Sequence, residues 1–270
     1  VSTPVLTILG SGTLVPDADR HSAAHHLRVG STSVLLDCGS GTVHGFARYG
    51  VRWQELTHVV ISHFHADHIG DVAALMFAFK HGLTVPRTEP LTLVGPVGLR
   101  GLLDRLAAAL GKHVLDPGFD LRVVELTPGD RHEAGNDVTL RCHPTPHTPE
   151  SVAYRVEGSW GSVGYTGDTG PSEAVADFMA GCDLLVAECT VPEAMELDTH
   201  LSPESLAALA RRALPGLLLV VHVGPRHTPD EAVQRIRRAY DGIVVPVTAD
   251  GFRVRWTEDG PSVDRGASLQ

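Results

Sequence analysis

The stretch VVISHFHADHIGD, residues 59–71, decides the reading of this chain. A β-branched apolar run ends near Ser62, and His63, His65, Asp67 and His68 follow at once. A strand ending there hands these residues to a loop at a sheet edge, where side chains converge outside the core. Imidazole and carboxylate are the ligands of zinc, iron and manganese sites. In extended backbone, residues two apart point the same way, so His63 and His65 would face one centre. The adjacent Asp67 and His68 would point apart, which suits two neighbouring metals better than one.

Working outward, short apolar runs recur along the whole chain. VLTILG, TSVLLDCG, HVVISH, LTLVGP, VTLRCH, SVAYRV, SVGYTGD, LLVAEC, LLLVVHVG and IVVPVTADGFRVRW all read as strands. Helical patterns lie between them. DVAALMFAFKHG follows the histidine cluster, and GLRGLLDRLAAALG ends on Gly111. SPESLAALARRALPG carries Ser202 as N-cap with Pro203 behind it. TPDEAVQRIRRAYDG carries a capping box from Thr228 to Glu231 and is predicted to run to Gly242. Strands with interleaved helices predict a layered α/β domain spanning residues 1–256. The segment 257–270 is polar and is expected to fray. Arg235, Arg237 and Arg238 read as a solvated helix face.

Composition narrows the function classes. The chain has 270 residues, 43% of them apolar, enough for a sizeable core. With 22 basic and 32 acidic residues the formal net charge is −10, which gives no footprint for non-specific nucleic-acid or membrane binding. Cys38, Cys142, Cys182 and Cys189 show no C-x-x-C spacing and read as buried, reduced thiols. The start shows no basic, signal-like segment, and no window approaches the roughly 18 apolar residues of a membrane span. A cytoplasmic protein is expected. GSG at residues 10–12 lacks the third glycine of a dinucleotide fingerprint and reads as a tight turn. Asp37 reads as a loop-bracing carboxylate. His21, His25, His26, His44, His81, His113, His132, His143 and His227 read as surface or hydrogen-bonded histidines.

The pattern His-x-His-x-Asp-His after an apolar strand resembles the signature of the metallo-β-lactamase superfamily. Its partners recur in order: His147 in CHPTPHTPES, Asp168 in GYTGDTG and His222 in LLVVHVGPRH. The resemblance runs from about residue 5 to about residue 250. It implies an α/β fold, a four-layer αββα sandwich of two mixed sheets flanked by helices. It also implies two divalent metal ions, zinc before manganese or iron. His63, His65 and His147 would hold one, Asp67, His68 and His222 the other, and Asp168 would bridge them. Seven N/O ligands for two ions leave open positions, as catalytic sites do.

Within the superfamily, His65 stands where redox di-iron members carry glutamate, and Asp168 where secreted β-lactamases carry cysteine or serine. Both point to a different hydrolase. LLVAECT is similar to the His-Glu-Ala-Thr element of the tRNA 3′-processing endonucleases (ribonuclease Z), keeping Glu188 but with Ala187 at the histidine. THLSPESLAALA is similar to that family's Gly-His-Ser-Thr element, with His200 at the histidine, and HVGPRH keeps Arg226. The implied chemistry is phosphodiester hydrolysis. A hydroxide shared by the metals attacks phosphorus, Asp67 orients it, and a Glu188–His200 pair protonates the leaving group. Arg226 would hold a substrate phosphate. Members acting on tRNA carry a flexible arm between the third histidine and the bridging aspartate. Here His147 and Asp168 are joined directly. That and the acidic charge disfavour tRNA and favour a small or short nucleotide phosphodiester. Hydrolysis of another ester, a lactone, thioester or sulfate ester, is the alternative, and a non-catalytic scaffold the third reading. Homodimers recur among relatives, but no seam marks one here.

Overall fold

The computed structural model describes residues 3–135, 137–194 and 198–264. The chain first lays down an antiparallel meander of β1 (Val5–Gly10), β2 (Ala24–Val29) and β3 (Thr32–Leu36). Helix α1 (Thr42–Arg48) then leads to β4 (His58–Val60). Helices α2 (Ala66–Ile69) and α3 (Val72–His81) lead on to β5 (Leu91–Pro96), and α4 (Leu99–Leu110) to β6 (Leu121–Leu126). Strands β3 to β6 pair in parallel, as crossover helices require.

The second half repeats this plan. Strands β7 (Arg131–Gly135), β8 (Val138–Pro144), β9 (Val152–Gly158) and β10 (Gly161–Tyr165) are antiparallel. Helix α5 (Glu173–Phe178), β11 (Leu184–Glu188), α6 (Pro203–Ala213), β12 (Leu217–Val221), α7 (Pro229–Ile236) and β13 (Val244–Pro246) extend the sheet in parallel. The chain then returns to the first sheet as β14 (Arg253–Thr257) and β15 (Gly260–Val263). Among the described residues the sheets run β15-β14-β1-β2-β3-β4-β5-β6 and β13-β12-β11-β10-β9-β8-β7.

Strand alternation builds the layers. Val34 and Leu36 point between the sheets, where they join Leu140, Tyr154, Val156 and Val186. Leu35 points the other way, onto Leu75, Met76 and Phe79 of α3. In the second sheet Val186 faces inward, while Leu185 and Ala187 pack outward among residues of α5 and α6. The result is the α/β sandwich of two mixed sheets flanked by helices that the sequence implies.

Four details differ from the sequence reading. IVVPVTADGFRVRW is two strands in different sheets. Its middle crosses between the layers at Asp250, which accepts from the backbone N–H and the hydroxyl of Ser11, both at 2.8 Å. Residues 257–263 do not fray. They close a hairpin, because β15 supplies the edge partner that β14 lacks; residues 265–270 lie outside the described residues. Helix α7 stops at Ile236, well short of Gly242, where Tyr240 turns into the core and its hydroxyl donates to the Pro215 carbonyl. Finally, β2, β6 and β7 are strands without a clear signal in the sequence, since charged residues or histidines interrupt their apolar faces.

His25 and His26 of β2 are buried, and so is His58 of β4. Neither ring nitrogen of His25 has a hydrogen-bond partner among the described residues, so it is neither a surface nor a satisfied histidine. Burial pushes His26 and His58 each down to about 4, against about 6.5 when unfolded. The folded state therefore keeps these rings neutral while the unfolded state takes up protons first. Their contribution is complete above pH 6.5 and is lost as pH falls toward 4. Unfolding free energies from urea titrations should decline across that window, by on the order of a few kcal/mol in total. His26→Gln should flatten the decline, and an unchanged acid limb in that variant would contradict the assignment.

Candidate metal centre

The trailing ends of β4, β8, β10, β11 and β12 meet along one edge of the sandwich, the usual place for sites in open α/β sheets. After β4 come His63, His65, Asp67 and His68; after β8, His147; after β10, Asp168. Glu188 ends β11, His222 follows β12, and His200 precedes α6. The two sheets touch here. Gly167 has φ of +54°, and a Cβ there would lie 2.8 Å from that of Ser62. Glycine suits both demands.

Residues 66–69 are helical, so Asp67 and His68 do not alternate as extended residues would. The helix turn, and not strand alternation, aims them. His63, His65, His147 and Asp168 present ligand atoms within 4.8 Å of one another, as do Asp67, His68 and His222. Asp168 joins the groups. Its Oδ2 lies 3.8 Å from His63 Nε2 and 3.7 Å from His147 Nε2, and its Oδ1 lies 3.3 Å from His68 Nε2 and 3.6 Å from His222 Nε2.

Partners fix the tautomers. The Ser62 hydroxyl donates to Asp37 at 2.7 Å, so at 3.0 Å it must accept from His63 Nδ1. His68 Nδ1 donates to Asp37 at 2.6 Å, and His147 Nδ1 to the Thr199 carbonyl at 2.9 Å. Thr190 Oγ1 donates to Glu188, 2.5 Å away, and so accepts from His222 Nδ1 at 2.9 Å. In the neutral form each of these rings then turns a bare Nε2 toward the centre. His63 Nε2 and His147 Nε2 each lie 3.1 Å from His65 Nδ1. Nitrogens bound tetrahedrally at zinc's 2.0–2.1 Å lie about 3.3 Å apart.

The electrostatics differ from ring to ring. Burial pushes His63 down to about 2 and lowers His147, leaving neutral rings of the kind metals bind. At His68 burial is outweighed by the charges of Asp168 and Asp37, which raise the pKa, so a metal there would displace a proton. Burial opposes charge on Asp168, yet the surrounding histidines hold its carboxyl well below the usual range. His68 Nε2 and Asp168 Oδ1 are buried and have no hydrogen-bond partner among the described residues. A cation between them would satisfy both. Donor types, tautomers and spacings therefore fit divalent metal.

Glu188 and His200 also meet, with His200 Nδ1 donating to Glu188 Oε1 at 2.9 Å and lying 4.0 Å from Asp168 Oδ2. Burial pulls His200 down, but the hydrogen bond and charge of Glu188 outweigh it and raise its pKa. Ala187, at the place of the missing histidine, packs into the helical layer. Arg226 does not join the centre. It is exposed on a neighbouring cleft of about 480 Å³, where Arg20 is tied to Asp17 and to the Val223 carbonyl.

Sequence reasoning missed Ser62, Tyr165 and Thr190, which touch the histidines or their carboxylate partners. Asp37 braces the loop as the sequence suggests, accepting the Ser62 backbone N–H at 2.7 Å. It also accepts from His68 and the Ser62 hydroxyl, and from the Tyr165 hydroxyl at 2.5 Å. Asp37 and His222 both adopt positive φ, 57° and 49°, an uncommon conformation for such residues and one associated with functional sites.

Residues 32–223 match the family described as "Beta-lactamase superfamily domain". A ribonuclease Z of Mycobacterium sp. (strain KMS) is 31% identical over 256 residues, covering 87% of this chain and 89% of that protein. A ribonuclease Z of Mycobacterium bovis is 29% identical over 250 residues, covering 85% and 89%. Among solved structures, a metallo-β-lactamase fold protein from Bacillus subtilis superposes with a TM-score of 0.81 at 22% identity, over 94% of this chain and all of that one. The short form of human tRNase Z gives 0.73 at 21%, over 92% and 98%. The chain belongs to the β-lactamase superfamily, in its ribonuclease Z-like branch. It is a hydrolase of the metallo-β-lactamase fold whose histidine and aspartate clusters suit divalent metals.

Asp37→Ala would leave four buried donors without their acceptor. It should cost at least about 3 kcal/mol of unfolding free energy. Urea denaturation checks this, and a loss below about 1 kcal/mol would contradict the role of Asp37.

Proposed function

We propose that the protein is a binuclear metal-dependent phosphodiesterase acting on small or short nucleotide phosphodiesters. His63, His65 and His147 would hold one ion, Asp67, His68 and His222 the other, with Asp168 shared. Divalent ions bound there, zinc before manganese or iron, supply Lewis acidity and a more acidic water.

The chain's own groups supply the rest. Asp67 keeps an ionised carboxyl. Burial opposes this, but when His222 and His68 carry protons, the hydrogen bond from His222 Nε2 and the two ring charges bring it down to about 2. It orients the attacking water. The observation that carries the phosphodiester reading is the Glu188–His200 pair at the rim of the centre. Glu188 occupies His200 Nδ1 and leaves Nε2 as the proton donor to a departing alkoxide. Phosphodiesters of natural alcohols need such a donor, because the alkoxide leaves poorly. Arg226, exposed one cleft away, is assigned a substrate phosphate.

The relatives' name favours a second reading, RNA 3′ processing. Against it stand the net charge of −10 and the short connection from His147 to Asp168, which β9 and β10 fill as a hairpin. No described helix is long and apolar enough to cross a membrane. The four free cysteines are buried and fit a reducing, cytoplasmic compartment.

Metal-loaded protein should hydrolyse bis(p-nitrophenyl) phosphate. His200→Ala should slow an alkyl-leaving-group diester by about 10²–10⁴-fold while sparing the activated substrate. Equal loss on both would remove the acid role. Turnover of lactones, thioesters or sulfate esters instead would move the function to that class, and cleavage of precursor tRNA in preference to small diesters would favour the second reading.

A further inference from the structure

We propose a second binding site, for an uncharged heteroaromatic ring bearing N–H donors, at the opposite edge of the sandwich from the metal centre. A cleft of about 1060 Å³ opens there, at the upper end of the ~300–1,000 Å³ typical of small-molecule sites. Its walls are the leading ends of β3, β4 and β5, strand β7 of the second sheet, and the segment 82–90. His58 opens β4 five residues before His63, so the two lie on the order of 16 Å apart along an extended strand.

Two histidines meet edge to face in the wall of this cleft, His58 from the first sheet and His132 from the second. Their ring centroids are 5.4 Å apart and their planes meet at 65°. His58 is 7% exposed, and its tautomer follows from its neighbour. Thr57 Oγ1 donates to the Ser33 carbonyl at 2.9 Å and accepts the Ser33 N–H at 3.0 Å. It can then only accept from His58 Nδ1, 2.9 Å away. His58 Nε2 is left as a bare acceptor with no hydrogen-bond partner among the described residues. His132 Nε2 is buried and likewise has no partner among them. Burial lowers both rings, so both are uncharged at neutral pH.

The rest of the lining sets the ligand's charge. Arg28 is paired with Glu55 at 2.9 Å. Arg87 spends its donors on the carbonyls of Gln54, Leu56, Glu89 and Pro90. Glu133 accepts from the Thr139 hydroxyl at 2.9 Å, while Arg122 and Glu89 lie exposed at the rim. An anion would therefore enter without a free counter-charge, since Arg122 is paired with Asp120 at 2.8 Å, whereas a neutral molecule would not need one. Leu83, Pro86 and Val124 supply apolar surface for the faces of a ring, and His58 Nε2 accepts from its edge. A nucleobase has this combination. No residue of the metal centre lines the cleft, so the proposal does not depend on the phosphodiesterase reading.

The test is ligand-observed NMR and calorimetric titration of the full-length, metal-loaded protein with adenine, cytosine and hypoxanthine. At least one probe is expected to bind. His58→Leu should weaken it tenfold or more. His132→Phe, which keeps ring volume but removes both nitrogens, should weaken it too and guards against misfolding of the first variant. His222→Ala should leave binding unchanged. Absence of binding by every probe, equal binding in the two cleft variants, or loss of binding in His222→Ala would each overturn the proposal.

Discussion

The centre depends on two buried carboxylates that hold imidazoles by the wrong end. Asp37 takes His68 directly and His63 through Ser62, while Glu188 takes His222 through Thr190 and His200 directly. With Nδ1 committed, each ring offers Nε2 outward from its anchor. Such outer partners orient metal-binding histidines and raise their basicity. Asp37 and Glu188 stand on different sheets, so the histidines converge only when the apolar layer between the sheets has closed. Val34, Leu36, Tyr154 and Val186 in that layer are thus as necessary to the site as its polar groups.

The arrangement suits a cation. The Nε2 atoms of His63 and His147 converge on His65 Nδ1 at 3.1 Å, and buried atoms of His68 and Asp168 face each other without a hydrogen bond. Asp37 and His222 are held at positive φ besides. Local conflicts of this kind concentrate at functional sites and are sustained by the surrounding fold. Glu188 is saturated by Thr169, Thr190, His200 and Leu201, so it braces three loops as well as orienting His200.

Much of this was legible in the sequence, for a physical reason. His63, His65, Asp67 and His68 sit in one short segment, and His147, Asp168 and His222 each follow a readable apolar strand. Strand ends deliver ligands, and strands announce themselves by alternation. What stayed hidden depended on long-range partners. Ser62 and Thr190 are ordinary hydroxyls until Asp37 and Glu188 come into reach. Strand β2 was masked because His25 and His26 look polar, although the fold buries both. The change of sheet between β13 and β14 is set by Asp250 gripping Ser11, far away in sequence. No local pattern encodes such a contact.

The most direct test of the centre is its metal content, by elemental analysis of protein reconstituted with zinc and freed of excess ion. The geometry predicts about two ions per chain, falling in Asp168→Ala, whose side chain joins both groups. A protein that takes up no metal under these conditions, or one that keeps its full complement without Asp168, would contradict the assignment of a shared, two-ion site.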